Sequence, residues 1–155
     1  MAKPAVRSKP VPTIKAAATE PQVEALPFVQ LDYLYTPSND VAADARYFSQ
    51  VLGGRLAFAI EGMGARVAKI VLTDGPPHVL LTDHLEGERP IFIYRVDDLE
   101  EAMRDMKKRG WKKASTLEIP MGPCCSFTTP TGHRVAIYEL TRPEVATHFD
   151  GRFDF

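Results

Sequence analysis

A pattern that occurs twice constrains this chain most. An alternating apolar run over residues 31–35 leads through polar residues 38–40 into an amphipathic segment that ends at Gly53. Later, a similar run over residues 91–96 leads into a second amphipathic segment that ends at Gly110. Further strand-like runs follow each segment. The spacing predicts a duplicated β-α-β-β-β unit, and because neither unit buries its sheet alone, we expect the two to pair around a cleft.

The amphipathic segments predict two helices, over residues 40–52 and 98–109. Ser38 or Asn39 is the expected cap of the first helix, because short polar side chains accept hydrogen bonds from the first turn. The second helix has apolar residues at i, i+3, i+4 and i+7 from Leu99. Apolar alternation and turn residues predict strands over residues 29–35, 55–60, 65–72, 78–82, 91–96, 113–119, 124–128 and 134–140.

Composition supports one folded domain with extensions at both ends. The chain has 155 residues and is 45% hydrophobic, which is enough to form a core and excludes disorder of the whole chain. Residues 1–27 lack apolar periodicity and are expected to form a flexible arm. We place the domain at residues 28–140, with one repeat at 28–84 and the other at 90–140.

The remaining segment, residues 141–155, contains Phe149, Phe153 and Phe155. Exposed aromatic rings are costly in water, so we expect this tail to pack on the body of the protein or on a partner chain.

Charge and hydropathy exclude several classes of function. The formal net charge of −1 gives no basic surface for nucleic acid or an anionic membrane. No apolar run approaches the roughly 20 residues that span a bilayer, and the start of the sequence lacks an apolar secretory segment. The two cysteines are adjacent and cannot form a disulfide framework. We therefore expect a cytoplasmic protein that acts on or binds a small molecule.

Several short segments resemble the vicinal oxygen chelate superfamily, which includes glyoxalase I, extradiol dioxygenases, fosfomycin-resistance enzymes and bleomycin-binding proteins. They are residues 31–35, 45–48, 51–53, 96–99 and 127–134. The last resembles the family's F-x-D-P-x-G-N turn, with Thr and His where the family has Asp and Asn. The resemblance implies an α+β fold in which two βαβββ repeats pair into a curved, partly open, barrel-like sheet with a central cleft.

The resemblance also indicates which residues occupy the family's metal positions. By their place in the repeat, these are Tyr33, Leu80, Ile91 and Ala136. Three have no donor atom, and one phenol does not hold a divalent ion. Shifting the alignment with the family by one residue does not restore the site. It replaces Tyr33 with Asp32, which is expected to face the other side of the sheet because successive strand residues alternate. The expectation is therefore no metal and no cofactor.

Strand parity predicts the cleft lining, because alternate residues of a strand share a face. The predicted ligand-binding residues are Tyr33, Tyr35, His78, Leu80, Ile91, Ile93, Arg95, Arg134, Ala136 and Tyr138, and Thr82 shares their face. An apolar centre flanked by tyrosines, an imidazole and guanidinium groups suits a small, partly apolar, oxygen-bearing molecule. Only one of Cys124 and Cys125 can face the cleft, and a buried, inert thiol is expected there.

Three functions remain open at this point. The first is a non-catalytic protein that binds a small molecule, as in the bleomycin-binding branch. The second is a metal-independent lyase or isomerase that uses Tyr33, Arg95 or His78. The third is an interaction module whose cleft is filled by its own side chains. Sheet edges and the aromatic tail need cover, and relatives in the family commonly pair, so a homodimer is expected.

Overall fold

The computed structural model, which describes residues 2, 4–5, 25–112 and 115–155, contains both predicted repeats. The first unit comprises β1 (Gln30–Pro37), α1 (Val41–Arg46), β2 (Arg55–Gly62), β3 (Ala65–Val71) and β4 (His78–Thr82). The second comprises β5 (Ile91–Val96), α2 (Leu99–Lys108), β6 (Ser115–Ile119), β7 (Gly122–Thr128) and β8 (Arg134–Glu139). A short helix, α3 (Val145–His148), follows in the tail.

All eight strands belong to one curved, mixed sheet in the order β2-β3-β4-β1-β5-β8-β7-β6. The two units meet at the antiparallel pair β1 and β5, where Tyr33 lies opposite Ile93 and Tyr35 opposite Ile91. Within each unit the first and last strands are parallel, β1 with β4 and β5 with β8. The sequence-based prediction of an α+β fold built from two βαβββ repeats is therefore confirmed.

The sheet has two differently covered faces, which we call the helix face and the cavity face. On the helix face, α1 packs Val41 and Ala45 on Ile70 and Leu81 of the first unit. In the second unit, α2 packs Leu99 and Met106 on a corresponding cluster that includes Ile137. The cavity face carries a third cluster, comprising Tyr33, Phe58, Leu80, Cys124, Ala136 and Tyr138. Strand alternation thus separates the helix-packing residues from those that face the cleft.

The first helix differs from its prediction. The α-helix ends at Arg46 and continues as one π-helical turn, Tyr47–Val51, instead of running unbroken over residues 40–52. The Ser49 hydroxyl donates to the carbonyl of Ala45 at 2.8 Å, which competes with regular backbone pairing. The cap is Asp40, whose carboxylate accepts from the amide of Ala43 at 3.0 Å, and not Ser38 or Asn39.

The second helix is close to its prediction. Asp98 caps it by accepting from the amide of Glu101 at 3.0 Å. Gly110 follows with a φ of 97°, a left-handed conformation that glycine adopts without strain and that ends helices. The apolar residues expected on one side of this helix, from Leu99 to Met106, pack on the sheet.

Parts of two predicted elements lie outside the described residues. Residues 113 and 114 of the strand predicted over 113–119 are among them, and the structure shows that strand from Ser115. Most of the predicted arm, including residues 6–24, is also outside. Within the described ranges, no helix is both long and apolar enough to cross a membrane.

The C-terminal segment packs on the body of the protein. Residues 151–154 run beside β2, where the amide of Ala59 donates to the carbonyl of Arg152 at 2.9 Å and Phe153 forms a parallel bridge with Ala59. Phe149 packs on Phe58 at the cavity face, with ring centroids 5.8 Å apart. Phe155 packs instead with the α1 cluster on the helix face. The tail therefore wraps around one edge of the sheet and packs on the body, one of the two predicted placements, although Phe153 is 56% exposed.

Candidate functional site

A cavity of about 660 Å³ occupies the cavity face of the sheet. Strands of both units form its floor, and two further segments enclose it. One is the turn between β6 and β7, at residues 119–121, and the other is the tail, which contributes Val145, Ala146 and Phe149. The lining is mostly aliphatic and aromatic, with charged side chains at a few points. Its size lies within the range of about 300–1,000 Å³ that is typical of small-molecule sites.

The four residues that the resemblance assigns to the family's metal positions lie together in this cavity. Tyr33, Leu80, Ile91 and Ala136 all line it, together with the predicted lining residues Tyr35 and Ile93. A divalent metal requires several oxygen, nitrogen or sulfur donors, and this set offers one phenol. No group of three or more His, Cys, Asp or Glu in the described parts of the chain is placed to hold a metal. These residues therefore do not fit the family's metal, and no chemistry is assigned through one.

Four other predicted ligand-binding residues do not line the cavity. Tyr138 is buried in the core with a side-chain partner of its own, Asp32, and the same carboxylate lies 3.7 Å from Nε of Arg95. Arg134 lies in a smaller pocket of about 350 Å³, where it donates to the carbonyl of Arg89 at 3.4 Å. His78 starts β4, opposite Tyr33, and its Nδ1 is buried without a hydrogen-bond partner among the described residues.

Asp32 departs from strand parity, contrary to the expectation that it faces the other side of the sheet. The pairing of β1 with β5 shifts register between Leu31 and Tyr33, which marks a β-bulge. A bulge inserts one residue and redirects the side chain beside it. As a result, Asp32 reaches across the sheet to Tyr138, which donates a short hydrogen bond to its carboxylate. Gln30 Nε2 donates to the same carboxylate at 2.6 Å.

Tyr33 lines the cavity from β1, one of the middle strands of the sheet, and is 9% exposed. Burial, followed by the negative charge of Asp32, raises the pKa of its phenol, so the hydroxyl keeps its proton at neutral pH. That hydroxyl donates to the sulfur of Met121 at 3.6 Å, a weak acceptor. Tyr33 can therefore donate a hydrogen bond to a better acceptor placed in the cavity.

Lys69 is a cavity residue that the parity analysis omitted. It lies on β3 between Phe58 and Leu80 of the neighbouring strands, and its ammonium is 5.8 Å from the centroid of the Tyr33 ring. The signal was present in the sequence, because Lys69 shares strand parity with Val67, another lining residue. The predicted lining, however, was drawn from the strands that carry the family's metal positions, and β3 carries none.

A hydrogen-bonded trio lies at the edge of the cavity. The hydroxyl of Tyr35 lies 3.1 Å from Nδ1 of His84, and the hydroxyl of the fully buried Thr82 lies 2.7 Å from the same nitrogen. Burial is the main cause that raises the pKa of Tyr35, so this phenol is also protonated at neutral pH. The trio places a phenol and an imidazole within hydrogen-bond distance of each other at the edge of the cavity, the residue types that general acid–base catalysis uses.

The adjacent cysteines face opposite sides, as alternation predicts. Cys124 lines the cavity, whereas Cys125 packs in the α2 cluster on the helix face. Burial, and secondarily the neighbouring Cys125, raises the pKa of the Cys124 thiol to about 11. Because the thiolate is the nucleophile, this thiol is unsuited to nucleophilic catalysis at neutral pH.

Two βαβββ units that share one curved sheet around a cavity define the vicinal oxygen chelate fold, and this chain has that fold. Among solved structures, it is similar to methylmalonyl-CoA epimerase from Mycobacterium tuberculosis, with a TM-score of 0.66 and 15% identity over 80% of this chain and 96% of that one. It is also similar to a hypothetical protein from Bacillus halodurans C-125, with a TM-score of 0.59 and 14% identity over 71% and 93% of the two chains.

A third similar structure is a variant of Streptomyces coelicolor methylmalonyl-CoA epimerase in complex with 2-nitronate-propionyl-CoA. Its TM-score is 0.58, with 13% identity over 74% of this chain and 96% of that one. No family profile and no curated protein matches the sequence. At these identities the likeness establishes the fold and leaves the ligand to be argued from the cavity.

Proposed function

We propose that this protein binds a small, partly apolar, oxygen-bearing molecule in the cavity and does so without a metal ion. The observation that carries the proposal is the cavity itself, about 660 Å³ in volume and lined by Leu80, Ile91 and Ala136. The resemblance assigns these three residues to metal positions of the family. Apolar contacts with these residues and with Ile93 hold the body of the ligand. The Tyr33 and Tyr35 hydroxyls interact with its oxygen atoms.

The open cavity favours this function over the interaction module. An interaction module requires Leu80, Ile91 and Ala136 to fill the cleft by mutual contact, whereas these residues line a volume large enough for a ligand. Complexes of the same fold with methylmalonyl-CoA or its nitronate analogue support the use of such a cavity for small molecules. A CoA thioester is therefore included among the ligands to be tested.

A thermal-shift screen tests the proposal, because a ligand that binds only the folded state raises the melting temperature. The screen covers small carboxylic acids, amides, phenols and CoA thioesters. We expect hits with the unaltered chain and none with Ile91→Trp, whose indole fills the centre of the cavity. Lys107→Gln, on the exposed side of α2, is the matched control and keeps every hit. Hits that survive Ile91→Trp, or a screen without hits, contradict the proposal.

The absence of a resident metal is tested separately. Elemental analysis after gentle purification is expected to find no stoichiometric zinc, manganese, nickel or iron, because the converging residues offer one donor. One ion per chain that is lost on chelation, together with thermal stability, contradicts this part of the proposal.

A metal-independent lyase or isomerase is the second candidate, and the Tyr35–His84 pair at the rim favours it. Such an enzyme moves a proton at the carbon next to a carbonyl. Each hit is therefore incubated with the protein in D₂O, and deuterium at that carbon is measured by mass spectrometry. Exchange that disappears in Tyr35→Phe and His84→Gln supports an enzyme. Binding without exchange supports the non-catalytic function.

A further inference from the structure

We propose that the ligand is an amphipathic monocarboxylate whose carboxylate pairs with the ammonium of Lys69, while its apolar body lies against Leu80, Ile93 and Ala136. This inference rests on the proposed function and adds the chemical class of the ligand. It depends on how the charged side chains around the cavity are paired.

The charged side chains at the rim of the cavity have partners. Glu61 lies 3.6 Å from Arg66, and Arg152 lies 2.8 Å from Asp154. Glu118 lies 2.9 Å from Nη2 of Arg142. These pairs are exposed, and their charges are balanced within the protein.

Lys69 differs from those rim groups. It is partly buried on the cavity floor, and its ammonium makes no ion pair or hydrogen bond with any residue in the described ranges. Its one specific contact is the face of the Tyr33 ring, at 5.8 Å. A cation–π contact compensates only part of the loss of hydration of an ammonium group. An anion in the cavity supplies the missing partner.

The nearby carboxylates do not take that role. Asp32 is bound by Tyr138 and Gln30 and lies beside Arg95. Asp150 in the tail is near enough to affect Tyr33, yet it is not within 4.0 Å of the Lys69 ammonium. Burial is the first cause that lowers the pKa of the nearby His78, and the positive charges of Lys69 and Arg55 are the next.

A single carboxylate fits this arrangement better than a phosphate. Lys69 and Tyr33 lie together on the cavity floor, and the phenol of Tyr35 lies at the edge. Arg95 and Arg134 lie outside the lining, and Arg152, which is part of it, is already paired with Asp154. Phosphate sites in proteins use several converging donors, with Arg forks or backbone amides among them. A monoanion with an apolar body therefore matches both the charge and the lining.

Matched pairs of probes test this inference on the full chain. Octanoate is compared with octanamide, and 2-naphthoate with 2-naphthamide, by isothermal titration calorimetry at neutral pH and low salt. Members of a pair have nearly the same shape and differ in charge. We expect at least one carboxylate to bind about 10- to 100-fold more tightly than its amide, the factor associated with a charge-assisted hydrogen bond.

Variants assign the preference to Lys69. Lys69→Met keeps the length of the side chain without its charge, and we expect it to remove the preference while amide binding is unchanged. Lys69→Arg is expected to keep much of the preference, and Lys107→Gln all of it. Unchanged amide binding also shows that the Lys69→Met cavity is folded.

The outcomes separate this inference from the function on which it rests. Equal affinity for acid and amide, or a preference that survives Lys69→Met, overturns the carboxylate assignment and leaves ligand binding intact. Tighter binding of octyl phosphate than of octanoate also overturns the assignment. If neither carboxylate binds while the broader screen has hits, this inference fails and the proposed function stands. If no probe of either kind binds and the broader screen has no hits, both fail.

Discussion

Asp32 shows how one inserted residue changes the chemistry of a strand. Strand parity places it under the helices, but the bulge between Leu31 and Tyr33 turns it toward Tyr138 and Arg95. The arginine that sequence analysis assigned to a ligand thereby lies beside an internal carboxylate. Bulges depend on the pairing of two strands, so the sequence of β1 alone did not reveal this one.

The bond between Tyr138 and Asp32 predicts a measurable loss of stability. Tyr138 is 1% exposed, and Tyr138→Phe removes a donor from a buried carboxylate. We expect the free energy of unfolding in urea to fall by about 1–3 kcal/mol. Tyr47→Phe, at a side chain that is 55% exposed, is the control and changes it by less than about 0.5 kcal/mol. Equal effects of the two substitutions contradict the assigned role.

The same tyrosine predicts a dependence of stability on alkaline pH. Burial, and then the hydrogen bond to Asp32, raises the pKa of Tyr138 above its usual value of 10.0. As the pH passes 10, the unfolded chain loses this proton while the folded protein retains it, so stability falls by at most about 1.4 kcal/mol per pH unit. Urea unfolding between about pH 9 and 11 is expected to show a shallower decline for Tyr138→Phe. Parallel declines contradict this account.

Cys124 predicts low chemical reactivity. Its thiol has a pKa raised to about 11 by burial, and it is 4% exposed. Iodoacetamide at neutral pH is expected to alkylate Cys124 more than about tenfold more slowly than a free cysteine, because the thiolate is the reactive form. Peptide mass spectrometry over time measures the rate. Rapid alkylation of the native protein contradicts a buried, inert thiol.

Among the elements, those with strong periodic patterns were predictable from sequence. The strands His78–Thr82 and Ile91–Val96 have the predicted bounds, and α2 is shorter than its prediction by one residue at each end. The first helix was less predictable, because the hydroxyl of Ser49 bonds to backbone carbonyls and the last turn becomes π-helical. Hydrophobic periodicity indicates which side of a helix is apolar. It does not indicate where a side-chain hydroxyl competes with the backbone amides for carbonyl acceptors.

The tail is the element whose placement sequence analysis left open between the protein's own body and a partner. Phe155 packs with the α1 cluster and under the guanidinium of Arg66, whose Cζ is 4.9 Å from the ring centroid. Phe155→Ala is expected to lower the free energy of unfolding by about 1–3 kcal/mol. This is less than the cost of removing a fully buried Phe side chain, because the Phe155 ring is only partly buried. Phe153→Ala, at a side chain that is 56% exposed, is the control. Urea unfolding measures both, and equal losses contradict the packing role.

At the scale of the whole molecule, the N-terminal arm is expected to be dispensable for folding. Within the described range that starts at residue 25, the ring centroid of Phe28 is 5.1 Å from that of Tyr94, whereas Leu26 is 84% exposed. Limited proteolysis is therefore expected to remove residues before 27 without lowering the melting temperature. A loss of many degrees after trimming contradicts this, since it requires the arm to be packed.

The homodimer remains a prediction, and the structure indicates which edge of the sheet is available as its interface. Residues 151–154 cover the edge of β2, so that edge no longer needs a partner. The opposite end of the sheet, β6, carries Leu117 at 45% exposure. Light scattering at micromolar concentration is expected to give the mass of a dimer, and Leu117→Glu to shift it to a monomer. A monomeric mass for the unaltered chain contradicts the prediction.

The duplication of the sheet affects the orientation in which a ligand binds in the cavity. Lys69 lies opposite Leu80, and the equivalent residue of the second unit, opposite Ala136, is Ser126. Both line the cavity, so equivalent strand positions in the two units carry an ammonium in one and a hydroxyl in the other. A cavity formed by two identical, pseudo-twofold-related units would bind a ligand equally well in two opposite orientations. Because one unit carries an ammonium where the other carries a hydroxyl, the two orientations differ in energy. An anionic ligand is therefore expected to bind with its charged group toward Lys69.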